Sequence, residues 1–475
     1  MPDVVLEPSG WRDAILRHVA ESLQEIEAKR WYRDKGKRID SFALVDFLVL
    51  EDDERSPPVL ALVEMCYGDG TRGTYFLFLA QREEERGGVT GRLVEALPTD
   101  TAWARLGRSM LARRTFETPK GRFLFRPGYG ERVSQVRQLL EGGRGGPPKV
   151  RALGAEQTNT SFVIDEAILL KAYRRADPGP HPELEVLTHL DEHGMRDGVP
   201  ALLGSIEYEA HGESAPRGLV LLQELISGSR DAWTVALEDL RGVIAGRPST
   251  FLETTVASLG ALTARLHEGL ATLRTIAVER PTGLRAALLA RIDSLISEID
   301  EAAGVCPPDL ERRVRALLGT VRQRVLSLPR DEEWGRCARV HGDFHLGQIL
   351  VRDGHLWIVD FEGEPTSAPE IRRAGFSPAK DVAGMLRSFD YAVAIALEKA
   401  GKTHESAGSE RRAPDGSSRE SDGSARSSSP AEAWRKTACA RFQDAWEKGM
   451  ERSEVARALL PAKSARGRVI AAYET

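Results

Sequence analysis

Apolar side chains recur at Ile15, Val19, Leu23 and Ile26, a spacing that predicts a helix over residues 11–29. Residues 31–37 break that pattern before the strand-like run SFALVDFLVL. A second apolar run over 59–67 precedes the Gly68-Asp69-Gly70 turn, and a third covers 73–80. A helix followed by hairpins predicts a small α+β unit. Glycine and proline crowd residues 141–148 and mark a boundary or a loop. Beyond them, residues 161–164, a polar turn at Asp165 and Glu166, and residues 167–173 predict a β-hairpin. Pro182 opens a helix carrying Leu184, Leu187 and Leu190, which Gly194 can stop, and residues 218–226 predict a further strand. From residue 251 onward the pattern turns helical, with Val256, Leu259, Leu262, Leu266 and Leu270 on one face. Residues 401–431 carry almost no apolar side chains and predict a disordered insertion, because they bury too little to offset the entropy of ordering. Helical patterning resumes at Ala433.

Composition narrows the function classes. At 475 residues the chain is long enough for two or three subdomains. A mean hydropathy of -0.32 leaves no room for a bundle of membrane helices. With 66 Lys+Arg against 71 Asp+Glu, a net charge of -5 supplies no global attraction to nucleic acid. The acidic N-terminus lacks the features of a secretory leader, so the expected location is the cytoplasm. Cys66, Cys306, Cys337 and Cys439 lie far apart and read as reduced thiols, with neither a zinc clamp nor a disulfide framework.

The chemistry concentrates in residues 339–351 and 356–365. Phosphoryl transfer to a hydroxyl needs one carboxylate to accept the proton and others to hold the magnesium that neutralises a polyphosphate. Asp343 and Gln348 have the spacing of the kinase D-x-x-x-x-N loop, with the amide one methylene longer. Asp360, ending an apolar strand and followed by Phe361, stands where the D-F-G aspartate binds Mg²⁺, with Glu362 in place of the glycine. Upstream, Lys171 lies inside the apolar strand ILLKAY, where an ammonium requires phosphates and a carboxylate partner. Glu183 and Glu185 both offer that carboxylate, and a helical wheel favours Glu183, which shares the face of Leu187 and Leu190. No G-x-G-x-x-G precedes Lys171; the hydroxyls of Thr158, Thr160 and Ser161 are placed to grip phosphate oxygens instead.

Together these stretches resemble the bacterial maltokinases, sugar kinases related to aminoglycoside phosphotransferases. The resemblance is carried by RWYRDKG at 30–36, QTNTS at 157–161, KAYRR at 171–175, GPHPELE at 179–185, HGDFHLGQ at 341–348, DFEGEP at 360–365 and DVAGMLRSFDY at 381–391. It implies an α+β, bilobal protein-kinase-like fold with an extra N-terminal α/β cap and a mainly helical C-terminal lobe. The implied divisions are a cap at 1–105, an intermediate lobe at 106–226 and a helical lobe at 227–475 interrupted by 401–431. The implied reaction is ATP-dependent phosphorylation of maltose to maltose 1-phosphate, feeding α-glucan and glycogen synthesis. Asp343 is then the catalytic base, Gln348 and Asp360 hold Mg²⁺, and Lys171 meets the ATP phosphates. The motif assigns Glu185 as the lysine's partner, against the wheel, and makes residues 223–226 a hinge whose backbone at Glu224 and Ile226 meets adenine. Trehalose synthase, fused in some relatives, would be an external partner here.

Three other readings stand beside this one. A related sugar kinase would take another acceptor, glucosamine being nearest. His341, Asp343, His345 and Asp360 could instead ligate a hydrolytic metal, a set that leaves Gln348 and Lys171 unexplained. A nucleotide-binding regulator without transfer activity is disfavoured by the intact Asp343, Gln348, Asp360 and Lys171. Trp31, Lys35 and Lys37 carry no assigned role.

Overall fold

The structure, a computed structural model, describes residues 8–50, 57–82, 92–96, 102–128, 131–140, 148–153, 159–273, 284–301, 307–408 and 429–474. The chain divides into two compact units, Met1–Gly228 and Ser229–Thr475. No helix among the described residues is long and apolar enough to cross a membrane.

The first unit is built on two antiparallel sheets. Strands Ile39–Val49, Val59–Tyr67, Arg72–Arg82 and Arg92–Glu95 pair in chain order. Alternation along Val59–Tyr67 sends Val59, Ala61, Val63 and Met65 to one face, where Ile15, Val19 and Ile26 of the helix Pro8–Ala28 pack. Leu60 and Leu62 go to the other face, with Phe76 and Phe78 of the next strand. Both faces are covered, which is why this segment reads as an apolar run broken only by the half-buried Glu64.

The second sheet has seven strands, in the order Arg114–Glu117, Gly121–Pro127, Leu202–Ala210, Arg217–Glu224, Ile168–Ala172, Thr160–Ile164 and Val150–Ala152. Trp103, Leu106 and Met110 of the helix Ala102–Met110 lie in the core shared by the two sheets. The division expected between residues 105 and 106 falls inside this helix, and both sheets contribute to one core within the unit Met1–Gly228. The hairpin Thr160–Ile164/Ile168–Ala172 turns on Asp165 and Glu166, both with positive φ (50° and 51°), as a two-residue turn matched to strand twist demands.

The second unit is mainly helical, with a small sheet of Arg230–Asp231, Ile349–Arg352 and His355–Ile358. The helical run expected over 251–270 breaks at Thr255 into Thr250–Thr254 and Val256–Leu270. Val256–Leu270 packs against Pro430–Met450, and Ala379–Gly408 packs against Ala232–Ile244 and Pro430–Met450. Of the expected disordered insertion, residues 401–408 continue the helix Ala379–Gly408, since extending a formed helix costs far less than nucleating one. Residues 430 and 431 begin Pro430–Met450, capped by the Ser429 hydroxyl, which accepts from the Glu432 N–H at 3.2 Å. Residues 409–428 of that insertion, and 141–147 of the glycine-rich stretch, lie outside the described residues.

Candidate active site

The loop over 341–348 is suspended from one buried carboxylate. Asp381, in the first turn of Ala379–Gly408, accepts the backbone N–H of His341 at 2.8 Å on one oxygen and that of Gly342 at 2.9 Å on the other. His267 Nε2 also donates to it, at 3.0 Å, and Trp446 Nε1 donates to His267 Nδ1 at 2.9 Å. The indole thus fixes which imidazole nitrogen carries the proton. Burial opposes a charge on Asp381, but the His267 hydrogen bond, the electrostatic pull of the His267 and His341 rings and the Gly342 N–H outweigh it and hold the carboxyl below its usual value. Gly342 takes φ +88°, which lets the chain reverse between His341 and Asp343. Gly384 lies against the loop so closely that an added Cβ would stand 2.5 Å from the Phe344 carbonyl oxygen.

Asp343 is the reactive-looking group of the loop. Its side chain is 30% exposed, and His345 Nε2 lies 4.0 Å from Oδ2. Burial raises its pKa above the usual carboxylate value, while His345 partly counters that and Glu364 adds to it. The other nitrogen of His345 accepts the Gly347 N–H at 3.0 Å, which starts the turn Leu346–Gln348. Gln348 then donates its amide N–H to Asp360 at 3.1 Å, so the two side chains meet across the small sheet. Asp360 holds φ 65°, a strained setting for a non-glycine residue and of a kind that collects at functional positions. A carboxylate oxygen of Glu362, a nearly buried residue, lies within 4.8 Å of one on Asp360. Asp360, Glu362 and the Gln348 amide oxygen form a hard oxygen set, which fits Mg²⁺ rather than zinc. The alternative zinc set loses His341, whose Nε2 bonds the Val359 carbonyl at 3.0 Å and whose Nδ1 accepts the Asp343 N–H at 3.4 Å.

In the first unit, Lys171 Nζ lies 2.9 Å from Glu183 Oε1, with both side chains buried. The motif-based assignment of Glu185 is therefore corrected to Glu183. Pro182 sets the start of the helix Pro182–Glu192, and at that phase the next residue turns inward while Glu185 stays half-buried. Tyr173 donates to the second Glu183 oxygen at 2.8 Å.

The phosphate-gripping hydroxyls separate. Ser161 pairs directly with Lys171 across the hairpin and shares its face. Thr160, one residue earlier, faces the other way, away from Lys171, where its Oγ1 accepts from Arg174 Nε at 2.7 Å. Thr158 lies outside the described residues. At the expected hinge, Ile226 is buried and the Glu224 N–H is donated to the Ala201 carbonyl at 2.9 Å, so that donor is engaged within the fold and not offered to adenine.

The stretch at 30–36 acquires a structural role that the sequence left blank. Arg174 stands over the Trp31 ring at 5.1 Å and pairs with Glu95 at 2.6 Å. Asp34 accepts from Tyr67 at 2.9 Å, Tyr75 at 2.6 Å and Arg175. These contacts tie the N-terminal segment to the end of the lysine strand.

Asp343 opens into a pocket of about 570 Å³ within the second unit, lined among others by Asp231, Trp233, Glu364, Lys380 and Tyr391. Sequence reading missed Glu362, Asp381 and the His267–Trp446 pair. Asp381 stood inside the quoted 381–391 block, but nothing in that block says which backbone it would hold. His267 and Trp446 are 179 residues apart and share no motif.

A family model described as the phosphotransferase enzyme family (APH) matches residues 149–413. A glucosamine kinase of Streptacidiphilus jiangxiensis is 31% identical over 263 residues, covering 53% of this chain and 57% of that protein. A glucosamine kinase of Mycolicibacterium smegmatis is 26% identical over 252 residues, covering 52% of this chain and 60% of that protein. The chain thus spans about three-fifths of the length of these curated relatives. Among solved structures, a glucosamine kinase in complex with glucosamine, ADP and inorganic phosphate aligns with TM-score 0.58 at 20% identity, over 94% of this chain and 93% of that one.

Proposed function

From the premise that this chain belongs to the phosphotransferase enzyme family, we propose that it transfers the γ-phosphate of ATP to a hydroxyl of a sugar, with an amino sugar of the glucosamine type as the favoured acceptor. The observation that carries this reading is the pocket in front of Asp343, where Glu364 and Asp231 add carboxylates and Trp233 and Tyr391 add aromatic surface. An ammonium sugar matches the carboxylates, and pyranose C–H faces match the rings. The glucosamine kinases at 26% and 31% identity point the same way.

In the transfer, Asp343 accepts the proton of the attacking hydroxyl. The oxygen–phosphorus bond to the sugar forms as the bond to ADP breaks, and the proton stays on the carboxylate until release. Lys171, oriented by Glu183, neutralises phosphate oxygens of the nucleotide. Gln348 and Asp360, with Glu362 beside them, would hold Mg²⁺, whose contribution is to neutralise charge on the polyphosphate. Asp381 keeps the loop in register throughout.

Maltose is the competing acceptor, supported by the motif blocks at 341–348, 360–365 and 381–391. Coupled ADP release with glucosamine, maltose, glucose, trehalose and an aminoglycoside in parallel separates the readings. Glucosamine should give the highest kcat/KM; stimulation by maltose alone would replace the amino-sugar reading with the disaccharide one.

A further inference from the structure

Lys380 is the second residue of the helix Ala379–Gly408, one before the loop anchor Asp381. Its ammonium stands 3.9 Å from the centroid of the Phe376 ring, and among the described residues its side chain has no hydrogen bond and no ion pair. It lines the same pocket as Asp343 and Glu364. A half-buried ammonium with three donors and only a ring face beneath it is costly unless an acceptor arrives. Burial draws its pKa below the usual lysine value even though the carboxylates of Asp381, Glu364 and Asp343 act the other way, with Arg387 adding to the depression.

The acceptor's own chemistry supplies what is missing. In the proposed transfer the attacking hydroxyl gives its proton to Asp343, and a further hydroxyl of the sugar beside it offers lone pairs to the pocket wall. Asp343 and Glu364, when ionised, only accept hydrogen bonds, so those lone pairs take a donor from another side chain, and an ammonium is a stronger one than the neutral Trp233, Ser388 and Tyr391 that also line the pocket. Arg387 is exposed and donates to the Tyr473 carbonyl at 3.0 Å. Lys380 has no such engagement. Resting on the acceptor-pocket reading above, the geometry points to Lys380 as an acceptor-binding residue that donates to the sugar oxygen beside the attacking hydroxyl. It thereby selects acceptors carrying a neighbouring ring hydroxyl over those that lack one.

The test uses the full chain and the best wild-type acceptor, with Lys380→Met and Lys380→Arg compared in steady-state kinetics. Loss of one charged hydrogen bond should raise the acceptor KM of K380M about 10- to 100-fold, with kcat changed by only a few fold and the ATP KM unchanged. K380R should recover most of the loss. Acceptors lacking single ring hydroxyls, tried on the wild type, supply evidence independent of variant folding: one of them should reproduce the K380M penalty, and K380M should not discriminate against it further. A fall in kcat with unchanged acceptor KM would overturn the assignment and place Lys380 on the transferred phosphoryl group. Unchanged kinetics in K380M, with the wild type active, would overturn Lys380 alone. A wild type that phosphorylates none of the sugars offered would overturn the acceptor reading, and this assignment with it.

Discussion

Asp343 sits where burial disfavours its charge, and that setting makes its acid limb diagnostic. In the proposed transfer the deprotonated form accepts the proton, so activity should be lost as pH falls through a pKa raised above the usual carboxylate value. A pH–kcat/KM profile should show that limb, and His345→Gln should move it upward, because His345 beside Asp343 favours the carboxylate. Asp343→Asn should abolish turnover while leaving nucleotide affinity, read by calorimetry, largely intact. At the lysine, Glu183→Gln should raise the ATP KM and, by breaking a buried pair, cost about 3–5 kcal/mol in urea unfolding. Glu185→Gln should do neither to that extent. This choice was only half legible in the chain. Two glutamates in one helical turn both satisfy a motif, and the phase of the helix, set by Pro182, decides which one turns inward. That Gln348 and Asp360 meet was legible because their spacing is local, whereas the side on which Thr160 lies was not, because adjacent strand residues face opposite ways.

At the level of elements, the helix Pro430–Met450 belongs to the reaction centre's support although it lies beyond the family match at 149–413. Its close approach to Val256–Leu270 depends on glycine: a Cβ on Gly260 would stand 2.4 Å from the Phe442 carbonyl oxygen, and one on Gly449 would stand 2.5 Å from the Ala264 Cβ. Trp446 then reaches His267, and through Asp381 it bears on the backbone of the catalytic loop. Trp446→Phe leaves His267 Nδ1 buried without its donor, a loss of about 1–3 kcal/mol in stability. Its kcat should fall while the ATP KM holds, in steady-state assays below the melting transition. Gly260→Val should lower stability by about 1–3 kcal/mol through overpacking. The helices themselves were readable from apolar spacing. Their mutual contacts were not, since a glycine in a helix carries no sign of what it lies against.

Taken whole, the chain places its phosphate-handling groups in two units. Lys171 and Glu183 belong to Met1–Gly228, and the loop, the proposed oxygen ligands and the proposed acceptor pocket belong to Ser229–Thr475. The mildly acidic net charge of -5 suits a small-molecule substrate, for which local cations suffice. The α+β character and the helical C-terminal part followed from hydrophobic period alone. The shared core around Trp103 did not, because it joins segments that each satisfy their own local pattern. The central claim is transfer of the γ-phosphate from ATP to a sugar with Asp343 as base. The most direct measurement follows ³¹P resonances in a mixture of ATP, Mg²⁺ and glucosamine with the wild type and with Asp343→Asn. A sugar phosphate should appear one for one with ADP in the wild type and be absent in the variant. ADP accumulating with inorganic phosphate and no sugar phosphate, or equal sugar phosphate formation by the variant, would contradict that claim.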